Sequence, residues 1–340
     1  MLLILGLTFD CYDGKRGGEG EGTVLSKDQQ KCALPQPPNL MEMLSHSFFI
    51  GSYFAGPLIA FKKFKEFTQP DYQSKLPGSP IRYGMKRLGL GFLYMLIHLI
   101  GSSFVPWDWP LSEAYHQTSF LSKMMIFPLW CRFILYKYMF FWLIAEGVCI
   151  ISGLSFNGVR EDGRIDWKGC ANVKIVRLET ATTFGHIIEA WNTNTNAWAA
   201  AYIYKRLKFM NNRMFSQACT LVFLSVWHGF HSGYYVTFLN EFVVINVEKE
   251  FTGLLARSER MERVRQHPAG PAVCQLLGWL WVFFFMSQCF IPFSLFSWDK
   301  YLPTYRGMYF ILWAVYLSWP AWRPLTKSLL KLKPKAEKKE

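Results

Sequence analysis

Residues 125–154, MIFPLWCRFILYKYMFFWLIAEGVCIISGL, decide the class of fold that this sequence predicts. A helix needs about 20 mostly apolar residues to cross the hydrocarbon core of a bilayer, and this stretch is longer than that. A surface helix of a soluble protein would instead repeat polar residues along one face. The stretch therefore predicts a transmembrane helix.

Other apolar runs lie on both sides of this helix, and 51% of all residues in the chain are hydrophobic. The approximate bounds of these runs are 48–61, 88–105, 214–247, 273–296 and 308–322. Together the runs predict an all-α fold, a polytopic transmembrane helical bundle. The pair Gly56-Pro57 in the first run predicts a kinked or broken helix whose freed backbone groups are satisfied by neighbours.

Several apolar runs carry polar residues in their middle, where contact with lipid is costly. These residues are His98, Arg132, Lys137, Glu146, His228, His231 and Asn240. We expect them to face the interior of the bundle or a wet cavity, so the bundle is predicted to enclose something polar.

The formal net charge of +13 raises nucleic acid as a partner, but the positions of the basic residues argue for lipid. Lys and Arg residues flank the apolar runs, as in 61–65 and 205–208. Charges in such places suit lipid phosphates and anionic leaflets. The eight cysteines show no CxxC pairing, so we interpret them as small buried residues and not as disulfides or zinc ligands.

The chain is predicted to divide into three parts. Residues 1–44 are the end of a helix followed by a polar, glycine-rich loop, with the loop signal at 17–22. Residues 45–325 form the membrane domain. Residues 326–340 form a basic cytosolic tail, because lysines near membrane helices favour the cytosolic side.

The first chemically informative segment is FLSVWHGFHSGY at 223–234, in which His228 is flanked by apolar residues. Desolvation favours a neutral imidazole, which can accept a proton, and Gly229 leaves room for a substrate beside the ring. The alternative is a core histidine that bonds a carbonyl group on the next helix. Position alone leaves these two interpretations at even odds.

The second segment is WNTNTNAW at 191–198, which precedes a basic helix expected from about residue 195 or 196 to 210. The carboxamide of Asn192 could polarise an acyl carbonyl whose oxygen gains negative charge during attack. The alternative is a cap or turn, because Asn and Thr are common N-cap residues. For this segment alone, capping is the more common explanation.

Taken together, the two segments indicate acyl transfer to an alcohol. Such a reaction needs a general base, because a protonated hydroxyl is a poor nucleophile. A thioester donor is already activated, so a base and a carbonyl-polarising amide suffice without a covalent enzyme intermediate. A metal shared by His228 and His231 is disfavoured, since HExxH and a nearby carboxylate ligand are both missing from the sequence.

The pattern Trp-Asn at 191–192 and Trp-His-Gly at 227–229 resembles that of the membrane-bound O-acyltransferases. The resemblance extends over nearly the whole chain. Its other supporting stretches are 136–138, 146–150, 156–158, 192–198, 205–209, 231–234 and 298–300.

The resemblance implies a multi-helix fold around an internal reaction chamber in the endoplasmic reticulum membrane. Acyl-CoA would be the co-substrate, without a permanently bound cofactor or a metal, and a lysophospholipid would be the acceptor. His228 would be the general base, and Asn192 would hold the thioester carbonyl or the histidine. The remaining expected site residues are Lys205, Arg206 and Lys208 for a phosphate of acyl-CoA or lipid, and Trp191, Asn196 and His231 lining the chamber. Membrane lipids, and a second copy in a homodimer, are further expected partners, whereas nucleic acid is not.

Three departures from the family pattern keep alternatives open. The chain begins later than expected, so a truncated, non-catalytic membrane protein or partner-binding isoform is one alternative. Ala201 stands where an arginine is expected, which would weaken a phosphate contact. The last four residues, EKKE, are one position out of register for a dilysine signal. A further alternative is the same chemistry on another acceptor, such as a sterol, diacylglycerol or peptide.

Overall fold

The computed structural model describes residues 1–18 and 25–332, and it confirms the predicted all-α class. Within these ranges every regular element is a helix, and β pairing is limited to two isolated bridges, Val159 with Ile165 and Ser258 with Leu332. The α-helices in chain order are α1 (Leu2–Gly18), α2 (Lys27–Cys32), α3 (Leu40–Ser47), α4 (Ile50–Tyr53), α5 (Phe61–Phe67), α6 (Ile81–Phe104), α7 (Glu113–Gln117), α8 (Phe120–Ile151), α9 (Ile175–Glu179), α10 (Phe184–Ala190), α11 (Thr193–Ala199), α12 (Arg213–His228), α13 (Ser232–Ala256), α14 (Glu259–Gln266), α15 (Gly270–Leu295), α16 (Trp298–Gly307), α17 (Ile311–Leu317) and α18 (Trp319–Leu330). Three short 3-10 helices cover Gln73–Lys75, Trp109–Leu111 and Lys205–Met210, and a π-helix covers Ala200–Tyr204.

Three helical segments are long and apolar enough to cross a membrane. Among the described residues these are Ile81–Leu111, Phe120–Ile151 and Gly270–Leu295. The second of them contains residues 125–151 of the stretch that predicted a membrane protein. The chain therefore has the spans of a polytopic membrane protein.

The break predicted at Gly56-Pro57 is confirmed. The chain leaves α4 at Tyr53 and becomes helical again only at Phe61. The buried His46 donates a hydrogen bond from Nε2 to the main-chain oxygen of Ile59, at 2.8 Å. A neighbouring side chain thus satisfies a carbonyl group that the broken helix leaves free.

Two predicted single runs are each divided into two helices. Run 214–247 is divided at Gly229, whose φ of +128° is a conformation that glycine adopts without a steric penalty. Run 308–322 is divided between α17 and α18. Pro320, in the first turn of α18, has no N–H to donate to the preceding turn, so α17 ends at Leu317.

The division of the chain into three parts stays a prediction, but the polar segment expected to be a loop contains helices. Residues 10–44, expected to form a loop, contain most of α1, all of α2 and the start of α3. α1 continues past its apolar start because Asp10 and Asp13 find partners in Tyr202 and Arg206. Part of the glycine-rich stretch 17–22 lies outside the described residues. The boundary predicted at 325 falls inside α18, and the final residues 333–340 also lie outside the described ranges.

The basic helix expected to begin near residue 195 or 196 begins two or three residues earlier, at Thr193. It continues through the π-helix Ala200–Tyr204 and the 3-10 helix to Met210. π-Helical turns in an α-helix occur frequently at functional sites.

The chain forms two compact units, and the first consists of Met1–Ile100, Leu135–Ile175 and Ala190–Thr220. One apolar cluster of this unit contains Ile59, Phe64, Cys149, Leu154 and Cys170. The two cysteines are free thiols, as the interpretation of them as buried apolar residues requires.

A buried ion pair joins α6 to α8 in the first unit. Arg87 Nε lies 3.0 Å from Glu146 Oε1, and the Glu146 side chain is 1% exposed. This pair confirms that Glu146, a polar residue inside an apolar run, faces the protein interior.

The second unit consists of Gly101–Ile134, Val176–Glu189 and Leu221–Glu340. Its α13 packs closely on α15, where Gly233 N–H donates to the Phe296 carbonyl at 2.7 Å. Asn240 of α13 donates to the hydroxyl of Tyr305 and accepts from the indole of Trp313. Asn240 therefore also faces the interior, as predicted.

Arg132, another polar residue inside an apolar run, also faces the protein interior, within the second unit. It is 7% exposed, and its Nη1 lies 3.1 Å from Glu179 Oε2. His231 was also expected to face the interior, but it is exposed at the break between α12 and α13 and is not inside a helix.

Gly233→Ala is expected to weaken the packing of α13 on α15. A Cβ at this position would lie 2.1 Å from the Pro292 carbonyl oxygen and 2.8 Å from that of Phe296. Overpacking against backbone costs about 1–3 kcal/mol, so the thermal unfolding midpoint in detergent should fall. Gly253→Ala on the same helix is the control, because nothing lies within 4 Å of its added Cβ. Equal midpoints for the two variants would contradict the proposed close approach.

Arg87→Met is expected to destabilise the first unit strongly, because it leaves the buried Glu146 carboxylate without its cation. Breaking a buried pair in this way costs about 3–5 kcal/mol. The double variant Arg87→Met with Glu146→Met removes both charges and should recover most of the loss in thermal stability. If the double variant is as unstable as the single one, packing and not charge accounts for the effect.

Candidate functional site

His228 is the last residue of α12, directly before the sharp change of backbone direction at Gly229. It lies at a helix end, and not within a continuous helix as the sequence suggested. Three residues, Gly229 to His231, separate it from the start of α13. A ring at a helix end can be reached from the side on which the helix stops.

The ring of His228 is oriented by a hydrogen bond within its own helix. Nδ1 lies 2.7 Å from the main-chain oxygen of Leu224, one turn earlier. Because a carbonyl oxygen only accepts, Nδ1 carries the proton and Nε2 keeps a free lone pair in the neutral ring. The carbonyl partner of His228 thus lies on its own helix and not on the next one, and the observed bond leaves Nε2 available as a base.

Four aromatic rings from three helices surround the imidazole. Their centroids lie 4.5 to 5.5 Å from that of His228, and they belong to Trp227, Tyr234, Phe238 and Phe293. These rings restrict the orientation of the imidazole and keep bulk water from most of its surface. The His228 side chain remains half-buried, so part of the ring is still open.

His231 is at the N-cap position of α13, without a side-chain cap bond. Its ring lies 5.5 Å from that of Phe296 and 6.0 Å from that of Tyr234, and the residue is exposed. Tyr234 thus contacts both histidines, which makes His231 part of the same surface as His228.

Asn192 has a left-handed backbone, with φ 47° and ψ 48°, immediately before α11. Asparagine tolerates this region better than most residues, although a non-glycine residue there costs on the order of 1–3 kcal/mol. A capping side chain normally needs an extended backbone, and Asn192 makes no cap hydrogen bond. The capping half of the alternative is therefore wrong for this residue, whereas its left-handed backbone fits the turn half. The carboxamide makes no bond to the start of α11.

Trp191 and Asn196 support the backbone around Asn192. Asn196 Nδ2 donates to the Trp191 carbonyl at 2.8 Å. The Trp191 ring packs edge-on against Trp142 and Tyr138, at 4.6 and 6.2 Å between centroids. The Asn196 side chain thus has a structural bond in addition to any role in lining a site.

The three basic residues 205, 206 and 208 have different surroundings. Arg206 binds Asp13 through both Nη atoms and lies 4.3 Å from the Phe9 ring, so its guanidinium is held within the protein. Lys205 forms an ion pair with Asp28, which lowers the pKa of that carboxyl. Lys208 is exposed and makes no ion pair with any described residue. Of the three, Lys208 is the most available for a phosphate, followed by Lys205.

A cavity of about 400 Å³ lies within the first unit and carries both apolar and charged groups on its wall. Its apolar part includes Leu3, Leu7, Leu58, Ile59, Phe61 and Trp198, and its charged part includes Asp10, Asp28, Lys31, Lys205 and Lys208. Burial raises the pKa of Asp10 to about 6, although the hydrogen bond from Tyr202 opposes this rise. An amphiphilic ligand fits a wall of this composition.

The structure places the predicted site residues in two groups. Trp191, Asn192, Asn196, Lys205, Arg206 and Lys208 belong to the first unit, and His228 and His231 belong to the second. Sequence analysis missed the acidic partners Asp10, Asp13 and Asp28, because the stretch that carries them was interpreted as a loop. The signal that could have indicated ion pairs was the presence of these three carboxylates in one part of the sequence and of the basic segment 205–208 in another. In the described part of the chain, no group of three or more His, Cys, Asp or Glu residues could hold a metal ion.

Residues 9–296 match the family model described as MBOAT, membrane-bound O-acyltransferase family. Lysophospholipid acyltransferase 5 of Rattus norvegicus is 38% identical over 347 aligned residues, which cover 100% of this chain and 69% of that protein. The Homo sapiens protein of the same name is 38% identical over 93% of this chain and 65% of its own length. The Drosophila melanogaster protein is 40% identical over 74% of this chain and 50% of its own length.

The family match includes both Asn192 and His228, and the helical fold with membrane-spanning segments agrees with it. The chain belongs to the membrane-bound O-acyltransferase family and is an acyltransferase.

Proposed function

We propose that this enzyme is a lysophospholipid O-acyltransferase that uses acyl-CoA as the donor. The acceptor would be the sn-2 hydroxyl of lysophosphatidylcholine or a related lysophospholipid, and the acyl group a polyunsaturated one. The observation that carries the proposal is the orientation of His228, whose Nδ1 is bound to the Leu224 carbonyl while Nε2 is free to accept a proton. The names of the relatives, lysophospholipid acyltransferase 5, support the choice of acceptor.

His228 would act as the general base and then as the general acid. Nε2 accepts the proton of the lipid hydroxyl as its oxygen attacks the thioester carbonyl carbon. A C–O bond forms, the C–S bond breaks, and the imidazolium returns the proton to the departing thiolate of CoA. The products are a diacyl phospholipid and free CoA, with no covalent intermediate on the enzyme.

Asn192 would stabilise the charge that develops on the carbonyl oxygen during this attack. A carboxamide N–H aimed at that oxygen stabilises the transition state more than the ground state. The left-handed backbone and the missing cap bond support this role, because they leave the Asn192 amide for another partner. We propose separate roles for the two residues, and kinetic coupling between their variants tests whether they act on one substrate.

The phosphate groups of acyl-CoA or of the lipid would be bound by the basic residues after α11. Lys208 and Lys205 are the better candidates, because both lie on the cavity wall and their ammonium groups are exposed. Arg206 would support this surface through its pair with Asp13. Trp191, Asn196 and His231 remain candidates for the lining of the reaction chamber.

The enzyme is a membrane protein, and we propose the endoplasmic reticulum as its location. Lysophospholipid acceptors are membrane lipids, so a bilayer supplies them directly. The relatives with the proposed activity carry the name lysophospholipid acyltransferase 5, which supports phospholipid remodelling as the role. A homodimer is a further proposal that size-exclusion chromatography with light scattering tests.

His228→Ala is expected to lower turnover by about 10²–10⁴-fold, the usual contribution of a general base. The measurement uses purified protein in detergent with radiolabelled arachidonoyl-CoA and lysophosphatidylcholine. His116→Ala, an exposed histidine at the end of α7, is the matched control and should keep full activity. Equal turnover in His228→Ala and wild type would remove His228 from the mechanism.

The same assay separates the other functions. Turnover with a sterol, diacylglycerol or peptide acceptor and none with lysophospholipids would replace the proposed acceptor. If wild type turns over no acceptor but binds a non-hydrolysable acyl-CoA analogue, the non-catalytic alternative is favoured.

Asn192→Gly is expected to lower turnover by about 10²–10³-fold, as for the loss of one oxyanion donor. Glycine accepts the left-handed backbone, so this variant removes the carboxamide without adding strain. Thermal stability should therefore equal or exceed that of wild type, whereas Asn192→Ala should lose both turnover and stability.

Asn211→Gly is the control for this prediction, because Asn211 has the same left-handed backbone, with φ 51°, at an exposed position. Its turnover should match that of wild type. A fully active Asn192→Gly enzyme would show that the side chain only shapes the backbone.

A further inference from the structure

The first turn of α11 is capped by a residue that does not belong to the helix. Asn172 Oδ1 accepts a hydrogen bond from the Asn194 main-chain N–H at 3.0 Å, and the Asn172 main-chain oxygen accepts from Thr193 N–H at 3.0 Å. These are two of the N–H groups that a helix start leaves without an internal partner. An N-cap side chain normally serves one of them, but here Asn172, 20 positions before Asn192 along the chain, serves both.

Further bonds hold the two segments side by side. Lys174 N–H donates to the Ala190 carbonyl at 2.9 Å. Thr193 Oγ1 and Asn194 Nδ2 both donate to the Ala171 carbonyl, each at 2.9 Å. Because Asn172 is 3% exposed, water does not compete for these bonds. The segment 171–174 is thus a rigid support for the residues on both sides of Asn192.

This arrangement explains why Asn192 is left-handed and uncapped. Asn172 fixes the chain just after Asn192, and the bond from Asn196 to the Trp191 carbonyl fixes it just before. With both neighbours held, the backbone of Asn192 has little freedom, and the cap position no longer needs its side chain.

We propose that Asn172 is a positioning residue for acyl transfer, which holds Asn192 in the conformation that presents its carboxamide to the thioester carbonyl. The proposal rests on the proposed function of Asn192. Asn172 itself touches neither substrate nor reacting atoms. Its contribution is geometric, and a displacement of about 1 Å in a group that contacts the reacting atoms can cost about 10²-fold in rate.

The kinetic test compares Asn172→Ala with wild type. The substitution removes the Oδ1 acceptor but keeps the main-chain bond from Thr193, so the fold is retained. We expect kcat to fall by about 10²-fold, with the KM for acyl-CoA close to that of wild type. In an Asn192→Gly background, Asn172→Ala should lower kcat no further, since the group that it positions is already missing.

Asn172→Asp is the rescue variant, because a carboxylate keeps the acceptor at Oδ1 and suits the start of a helix. We expect it to restore most of the lost kcat. Asn157→Ala is the matched control, since it removes one side-chain bond, to Asp166, in the preceding loop. Its kcat should equal that of wild type.

A spectroscopic readout separates this proposal from the proposed function. The carbonyl stretch of ¹³C-labelled acyl-CoA, bound without acceptor, should shift to lower frequency in wild type and in Asn172→Asp. The shift should be lost in Asn172→Ala and in Asn192→Gly. The same shift in all four proteins would overturn the positioning role even if His228→Ala confirms the acyltransferase reaction.

Two other outcomes would also overturn the positioning role of Asn172. One is an unchanged kcat in Asn172→Ala. The other is a loss of kcat that remains equally large in the Asn192→Gly background and is accompanied by lower thermal stability, which indicates a purely structural role.

Discussion

Water is scarce in the hydrocarbon core of a bilayer, so polar groups there must find their partners within the protein. Much of the described structure follows from this constraint. Main-chain groups are paired within helices, and the broken segment after α4 obtains a partner for the Ile59 carbonyl from His46. Two charged side chains in the apolar runs are paired as well, Glu146 with Arg87 and Arg132 with Glu179.

Because most polar groups are paired, the polar groups that make no structural hydrogen bond are candidates for contact with substrate. His228 donates a hydrogen bond from Nδ1 to the Leu224 carbonyl and leaves Nε2 free, and aromatic rings pack around its imidazole. Asn192 leaves the cap of α11 to Asn172 and keeps its carboxamide for another partner. Each residue is held by structural bonds through one part and remains available through the other, which is the arrangement that preorganised catalysis requires.

The backbone around Asn192 is locally strained. Asn192 has a left-handed backbone, and α11 continues directly into a π-helix. Such features are stable only where the surroundings hold them in place. In the first unit the support comes from residues 171–174 and from Asn196, and of these only Asn196 was expected from the sequence to belong to the site.

The sequence alone determined the all-α class and three helices long enough to cross a membrane, and it singled out Asn192 and His228 as candidates, because long apolar runs and isolated polar groups are properties of local composition. It failed where tertiary partners decide the outcome. Asp10 and Asp13 were placed in a loop, but their bonds to Tyr202 and Arg206 extend α1 through them. Whether Asn192 caps α11 was likewise open in sequence, because it depends on Asn172, a residue 20 positions away. Hydrogen bonds between distant segments leave no periodic signal, so only the folded chain shows which polar group is committed and which is free.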